Sequence, residues 1–203
     1  MDSPAFAKAL QDAVVRALDE FRSTTQGQTP YAFALMPGQV ANYLGYAVGT
    51  EERLREVAAE YAGKGYRYRG AEWEQFDNCE QLATWLRWAN PDDGWHYRNF
   101  PDSSGITNAL ASLVECGAFG EDAEGLEEFC TETLVSIRSD PAWLRIASGD
   151  GIIVGVTSGE SPRDYLRTAT RANSFEAVRQ LWAEYWLGEE LSGQIERPSS
   201  NSV

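Results

Sequence analysis

The stretch that decides the fold class is Pro30-Tyr31-Ala32-Phe33-Ala34-Leu35-Met36-Pro37. A continuous apolar run this short, closed by proline at both ends, reads as a buried strand and not as a helix. Alternation puts Tyr31, Phe33 and Leu35 on one face and Ala32 and Ala34 on the other, so a helix is expected to pack closely on the small-residue face. A turn at Pro37-Gly38 then leads into residues 39–48, which read as a second strand and make an antiparallel hairpin.

Outward from the hairpin, periodicity changes from two to helical. Upstream, Phe6, Leu10, Ala13, Val14, Ala17, Leu18 and Phe21 recur at helical spacing, with Ser3 as an N-cap and Pro4 in the first turn, which predicts a helix from Pro4 to Ser23 or Thr24. Downstream, Thr50 stands before Glu51 and Glu52, a cap followed by carboxylates that oppose the helix dipole. That helix carries Leu54, Val57, Ala58 and Tyr61 and ends near Gly63 or Gly65. Tyr66 to Arg69 alternate as a short strand does. Residues 79–89 carry Leu82, Trp85, Leu86 and Trp88 at helical spacing, and residues 104–116 form another expected helix.

The C-terminal half adds a strand at 132–138, a short helix opened by Pro141, a buried strand at 152–157, and two helices opened by Ser161-Pro162 and by Asn173 or Ser174. The expected fold is α+β. One domain over residues 1–190 has a mostly antiparallel sheet, built from strands at 30–36, 39–48, 132–138 and 152–157, covered by helices and closed by a helical C-terminus. Residues 191–203 read as a flexible tail.

A chain of 203 residues with 43% apolar and 12% aromatic residues can build a full core without staples. Cys79, Cys116 and Cys130 are odd in number and lie far apart, so reduced and mostly buried thiols are expected. The start, Met-Asp-Ser-Pro, lacks the basic segment and apolar run of a signal peptide, and no stretch reaches the ~20 apolar residues that span a bilayer. A cytoplasmic location is the expectation.

Net charge is −14, which opposes direct binding to nucleic acid or to an anionic membrane and favours a basic protein partner. Seven of the acids (Glu115, Glu121, Asp122, Glu124, Glu127, Glu128 and Glu132) fall in residues 115–132, where there is no Lys or Arg. Such a run is either a solvated face or a docking surface.

Catalytic chemistry finds little support in the residues. The single histidine, His96, sits among Trp95 and Tyr97 and has no Cys or His nearby from which to build a metal site. Gly155-Val156-Thr157-Ser158-Gly159-Glu160-Ser161 follows a strand and precedes a helix, as phosphate loops do, but lacks the Lys-Ser/Thr ending and the GxGxxG spacing. Glu72 and Glu74 flank Trp73 as a possible acid–base pair. Arg67 and Arg69, between Tyr66 and Tyr68, suit anions or local ion pairs. Trp182, Tyr185 and Trp186 form an aromatic stripe that serves either the core or an interface.

Three short motifs stand in a fixed order: Ala32-Phe33-Ala34-Leu35, Thr50-Glu51-Glu52-Arg53-Leu54 and Ala71-Glu72-Trp73-Glu74, with the turn Cys116-Gly117-Ala118-Phe119-Gly120 later. In this order the chain resembles a bacterial family, domain-of-unknown-function family 4303, over about residues 4–160. The resemblance implies a place beside polymorphic or contact-delivered toxins, as an immunity protein that binds its cognate toxin in the cytosol and occludes its active site. It carries over no catalytic residue, so no enzyme activity, cofactor or metal is expected. The residues expected to contact the toxin are Glu121, Asp122, Glu124, Glu127 and Glu128, with Trp95 and Trp182 as aromatic anchors. The alternative is a small-molecule-binding domain or enzyme using the Gly155–Ser161 loop or the Glu72/Glu74 pair.

Overall fold

A computed structural model describes residues 3–38, 43–69, 77–89, 97–98, 105–106, 111, 119, 123–147, 151–158 and 161–197. Helix α1 (Ser3–Thr24) leads into the hairpin of β1 (Pro30–Pro37) and β2 (Leu44–Thr50). Then come α2 (Glu51–Gly63), β3 (Arg67–Tyr68), α3 (Asn78–Leu86) and β4 (Tyr97–Arg98). The chain continues through α4 (Ala123–Ile137), α5 (Pro141–Ala147), β5 (Ile153–Val156), α6 (Pro162–Ala172), α7 (Phe175–Ser192) and β6 (Ile195–Glu196).

The fold is α+β, with a sheet of order β4-β2-β1-β5 in which β4–β2 and β2–β1 are antiparallel and β1–β5 is parallel. The hairpin register pairs Pro30 with Thr50 and Pro37 with Leu44, and Gly38 N–H donates to the Tyr43 carbonyl. The second strand, expected at 39–48 after a Pro37-Gly38 turn, is therefore corrected: among the described residues pairing starts at Leu44 and runs to Thr50, and 39–42 lie outside them. Thr50 caps α2 by accepting from Arg53 N–H, and Asp77 makes a reciprocal capping box with Glu80 at α3.

Helices cover both faces of the sheet. Phe33, Leu35, Tyr46, Val48, Val154 and Val156 pack with α1, α4 and Trp143 of α5 on one side. Ala32, Ala34 and Ala47 pack on the other side with Leu54 and Ala58 of α2, Leu82 and Leu86 of α3, and Leu181 of α7. The small-residue face therefore receives closely packed helices, as the alternation of β1 requires. Tyr31 departs from that alternation. An irregularity between Pro30 and Ala32 shifts the register and turns Tyr31 to the alanine side, where it meets Trp88 edge-on at 5.4 Å.

The expected strand at 132–138 is corrected: these residues lie almost wholly in α4. Glu132, Thr133, Leu134, Val135, Ser136 and Ile137 look alternating when read alone. Joined to the preceding acids they show helical spacing, since Leu126, Cys130, Leu134 and Ile137 all point into the core. The buried hydroxyls of Thr131 and Thr133 are satisfied within the helix by donating to the carbonyls of Glu127 and Phe129.

At the other end of the chain, Leu191 is buried and β6 pairs antiparallel with β3, matching Arg67 to Glu196 and Tyr68 to Ile195. Residues 191–196, which composition assigns to a tail, thus include the last turn of α7 and a strand. Of the helix expected at 104–116, residues 105–106 and 111 are helical and Ile106 is buried in the first core; the rest lies outside the described residues.

Candidate functional site

The acidic run supplies one candidate surface. Along α4, Glu124, Glu128 and Glu132 recur four residues apart and stand exposed, while Leu126, Cys130 and Leu134 fill the core behind them. Helix α6 brings two cations to the side of this stripe. Arg171 makes a bidentate pair with Glu128 at 2.6 and 2.8 Å and reaches Glu132 as well, and Arg167 pairs with Glu127. The hydrogen bonds from Arg171 hold the Glu128 carboxyl below the usual carboxylate range. Three α4 acids thus pair with two α6 arginines, Glu124 stands exposed beside them, and the stripe remains net negative. Glu127 is the most covered of them. Glu121, Asp122 and Trp95 lie outside the described residues.

Helix α7 supplies a second surface. Its inner face buries Ala177, Leu181, Tyr185, Gly188 and Leu191. On its outer face Phe175 is 82% and Trp186 58% exposed, and Trp182 stacks on Trp186 with ring centroids 6.1 Å apart. The Trp182 indole N–H donates to the Thr170 hydroxyl at 3.1 Å, which fixes this ring against α6. Trp182 is thus half-buried, part packing residue and part surface. Beside the rings runs an open groove of about 550 Å³ lined by Arg163, Arg167, Thr170, Trp182, Tyr185 and Trp186.

A third feature carries partly buried charge, and no sequence motif announces it. Arg87, just past α3, makes a bidentate pair with Glu51 at 2.8 and 2.8 Å, and its guanidinium lies over the Tyr31 ring at 4.6 Å. Trp88 N–H donates to Glu184 at 2.9 Å, and the Gln180 amide holds the other oxygen of that carboxylate. Desolvation pulls the Arg87 pKa down, but the Glu51 carboxylate outweighs it and leaves the guanidinium more firmly protonated. Burial pushes the Tyr31 phenol up. The cluster locks α2, α3 and α7 together at the end of the sheet where β1 begins. Bidentate Arg–carboxylate pairing could have been anticipated only by knowing that Glu51 and Arg87 meet.

The residues named for the alternative reading are placed as follows. Gly155 lies within β5, where a Cβ would stand 2.6 Å from the Tyr165 ring. Thr157 N–H donates to the Leu35 carbonyl, and Ser161 caps α6 by accepting from Arg163 N–H. Arg69 pairs with Glu196. Glu72, Glu74, His96 and Cys116 lie outside the described residues. Cys130 is buried and Cys79 half-buried, both as free thiols. Among the described residues, no helix is long and apolar enough to cross a membrane.

A family described as a domain of unknown function, DUF4303, matches residues 10–130, more than half of the chain. The chain belongs to this family. Its matched span runs from Leu10 in α1 into the first half of α4 and is shorter than the sequence motifs suggest. For this DUF4303 member, the matched part contains the hairpin, the Glu51–Arg87 pair and the carboxylates Glu124, Glu127 and Glu128. The strand β5, both arginines that pair with α4, and the aromatic stripe of α7 fall beyond it. Neither a curated protein nor a solved structure matches the DUF4303 chain.

Proposed function

We propose that the chain is an immunity protein that binds a cognate bacterial toxin acting in the cytosol and blocks its active site. The observation that carries this reading is the exposed stripe of Glu124, Glu128 and Glu132, which the arginines of α6 offset only in part. A toxin that acts on nucleic acid or a nucleotide presents a basic cleft to phosphates, and a row of carboxylates on a rigid helix can occupy that cleft instead. The arginines add to this role by holding the carboxylates in place before contact, which lowers the ordering cost of binding. The reading requires no cofactor and no catalytic step.

The test uses the toxin encoded beside this chain, identified by growth arrest when it is expressed alone. Association rate is measured against ionic strength for the wild type and for the Glu124→Lys, Glu128→Lys, Glu132→Lys triple variant. Electrostatic capture moves the rate from about 10⁵–10⁶ toward 10⁸–10⁹ M⁻¹s⁻¹ at low salt, and the variant loses that gain. Equal rates and equal salt slopes would reject the acidic stripe as the contact. No binding and no rescue of growth would reject the immunity reading itself.

A further inference from the structure

The outer face of α7 fits one occupant on its own chemistry. Phe175, Arg179, Ala183, Trp186 and Glu190 follow one another three or four residues apart and stand exposed, with Trp182 half-buried at the edge of this face. A basic residue stands toward the N-terminal end, an acidic residue toward the C-terminal end, and two stacked indoles with a small alanine lie between them. With Glu176 paired to Arg179 and Glu189 beside Glu190, one end of the face is near neutral and the other acidic, and an antiparallel pair of identical helices sets these unlike ends together. A two-fold axis between Ala183 and Trp186 puts Arg179 of one copy opposite Glu190 of the partner subunit. A parallel pairing would set Arg179 against the same residue and Glu190 against the same residue, so it is disfavoured by like-charge contact.

We propose that the chain forms a two-fold symmetric dimer through antiparallel α7 helices, with a second copy covering Phe175, Trp182 and Trp186. Self-complementarity is the defining demand of such an interface, and the order of charges on this face meets it. The same axis sets Ala183 opposite Trp186 of the partner subunit, so the small side chain leaves space for that indole, and the groove between α6 and α7 adds room for the partner's rings. Glu190 makes no ion pair among the described residues, so its carboxylate is available to a partner; Arg179 has only the exposed Glu176 one turn away. The charge of −14 on each copy opposes association, but at physiological ionic strength the screening length of about 8 Å confines that repulsion to near contacts. The dimer would leave the α4 stripe of each copy as the surface for a toxin. It stands apart from the immunity reading, because its test involves no toxin.

Sedimentation equilibrium over a wide concentration range reads the result directly, with circular dichroism to confirm that each exposed-site variant is folded. Wild type is expected to show a reversible monomer–dimer equilibrium, and Trp186→Ala to weaken it at least about thirty-fold, as a central aromatic anchor does. Arg179→Glu and Glu190→Arg should each weaken the dimer, and the double exchange of both charges should restore it. A monomer at every concentration would overturn the proposal. So would a dimer indifferent to Trp186→Ala, or a double exchange no better than the single variants.

Discussion

The side-chain amide of Asn173 completes both backbone hydrogen bonds of Val154: it accepts from Val154 N–H at 3.0 Å and donates to the Val154 carbonyl at 2.6 Å. Two residues along the strand, the Thr168 hydroxyl serves both groups of Val156 at 2.8 Å. β5 is an edge strand of the sheet, and Thr168 of α6 with Asn173 at its C-cap closes that edge where another strand would otherwise pair. Asn173→Ala leaves a buried donor and acceptor without these bonds, at about 1–3 kcal/mol for each unsatisfied group. The expected loss is about 2–4 kcal/mol in urea unfolding at unchanged m-value, with Asn173→Asp no better because it keeps the acceptor and loses the donor. A loss below about 0.5 kcal/mol would show that the edge does not depend on Asn173.

Gly155 and Tyr165 depend on each other. The ring occupies the space of a Cβ at 155, and it cannot yield: its hydroxyl donates to the Ile153 carbonyl at 2.9 Å and its face stacks on Trp88. Gly155→Ala should destabilise by about 1–3 kcal/mol through overpacking. Adding Tyr165→Leu should recover part of that loss. Additive losses in the double variant would mean that the ring is not the obstacle.

The Glu51–Arg87 pair predicts a coupling. Both side chains are about three-quarters covered, so removing one leaves the other charge poorly hydrated. Arg87→Met or Glu51→Gln alone should cost about 2 kcal/mol, reduced from the fully buried range by the remaining exposure. The double variant Arg87→Met, Glu51→Gln should cost less than the sum of the two, which a double-mutant cycle in thermal or urea unfolding measures. Strict additivity would deny the coupling.

Acid should weaken the fold through a definite set of carboxylates. Partial burial pushes Glu52 up, yet the Thr29 N–H at 2.6 Å and hydroxyl at 2.8 Å together outweigh it and hold the group below its ordinary value. The Ala142 N–H and Lys8 lower Asp140, and Arg171 lowers Glu128. A carboxylate depressed in the folded state contributes stability above its unfolded pKa, and that contribution is lost as pH falls through the folded value. Midpoints of urea unfolding should therefore be flat above about pH 5 and fall below about pH 4. Glu52→Gln should reduce the steepness of that fall. An unchanged profile in Glu52→Gln would show that ionisation of Glu52 does not contribute to the acid loss.

Local chemistry alone determined α1, strand β1 and its antiparallel partner, the Thr50 and Ser161 caps and the apolar strand β5, because caps, prolines and periodicity act over a few residues. It left the bounds of β2 and the choice of Ser174 over Asn173 to the folded chain. The same pattern on α7 distinguished its buried face from its aromatic one only in part. A helix with aromatics all around does not say which ring the core will take: Tyr185 went inward, Trp186 outward, and Trp182 to the boundary. Packing decided the rest. The 132–138 segment is helical because Leu126, Cys130, Leu134 and Ile137 share one core, a relation that extends beyond any short window. Tyr31 changed faces at a register shift that arises only when β1 meets β2. The acids of α4 appear unopposed along the chain, and their cations arrive from α6, about forty residues later, once β5 has docked beside β1. Residues so far apart in sequence carry no mark of their pairing, because the Coulomb attraction that joins them acts through space and only the folded backbone sets that distance.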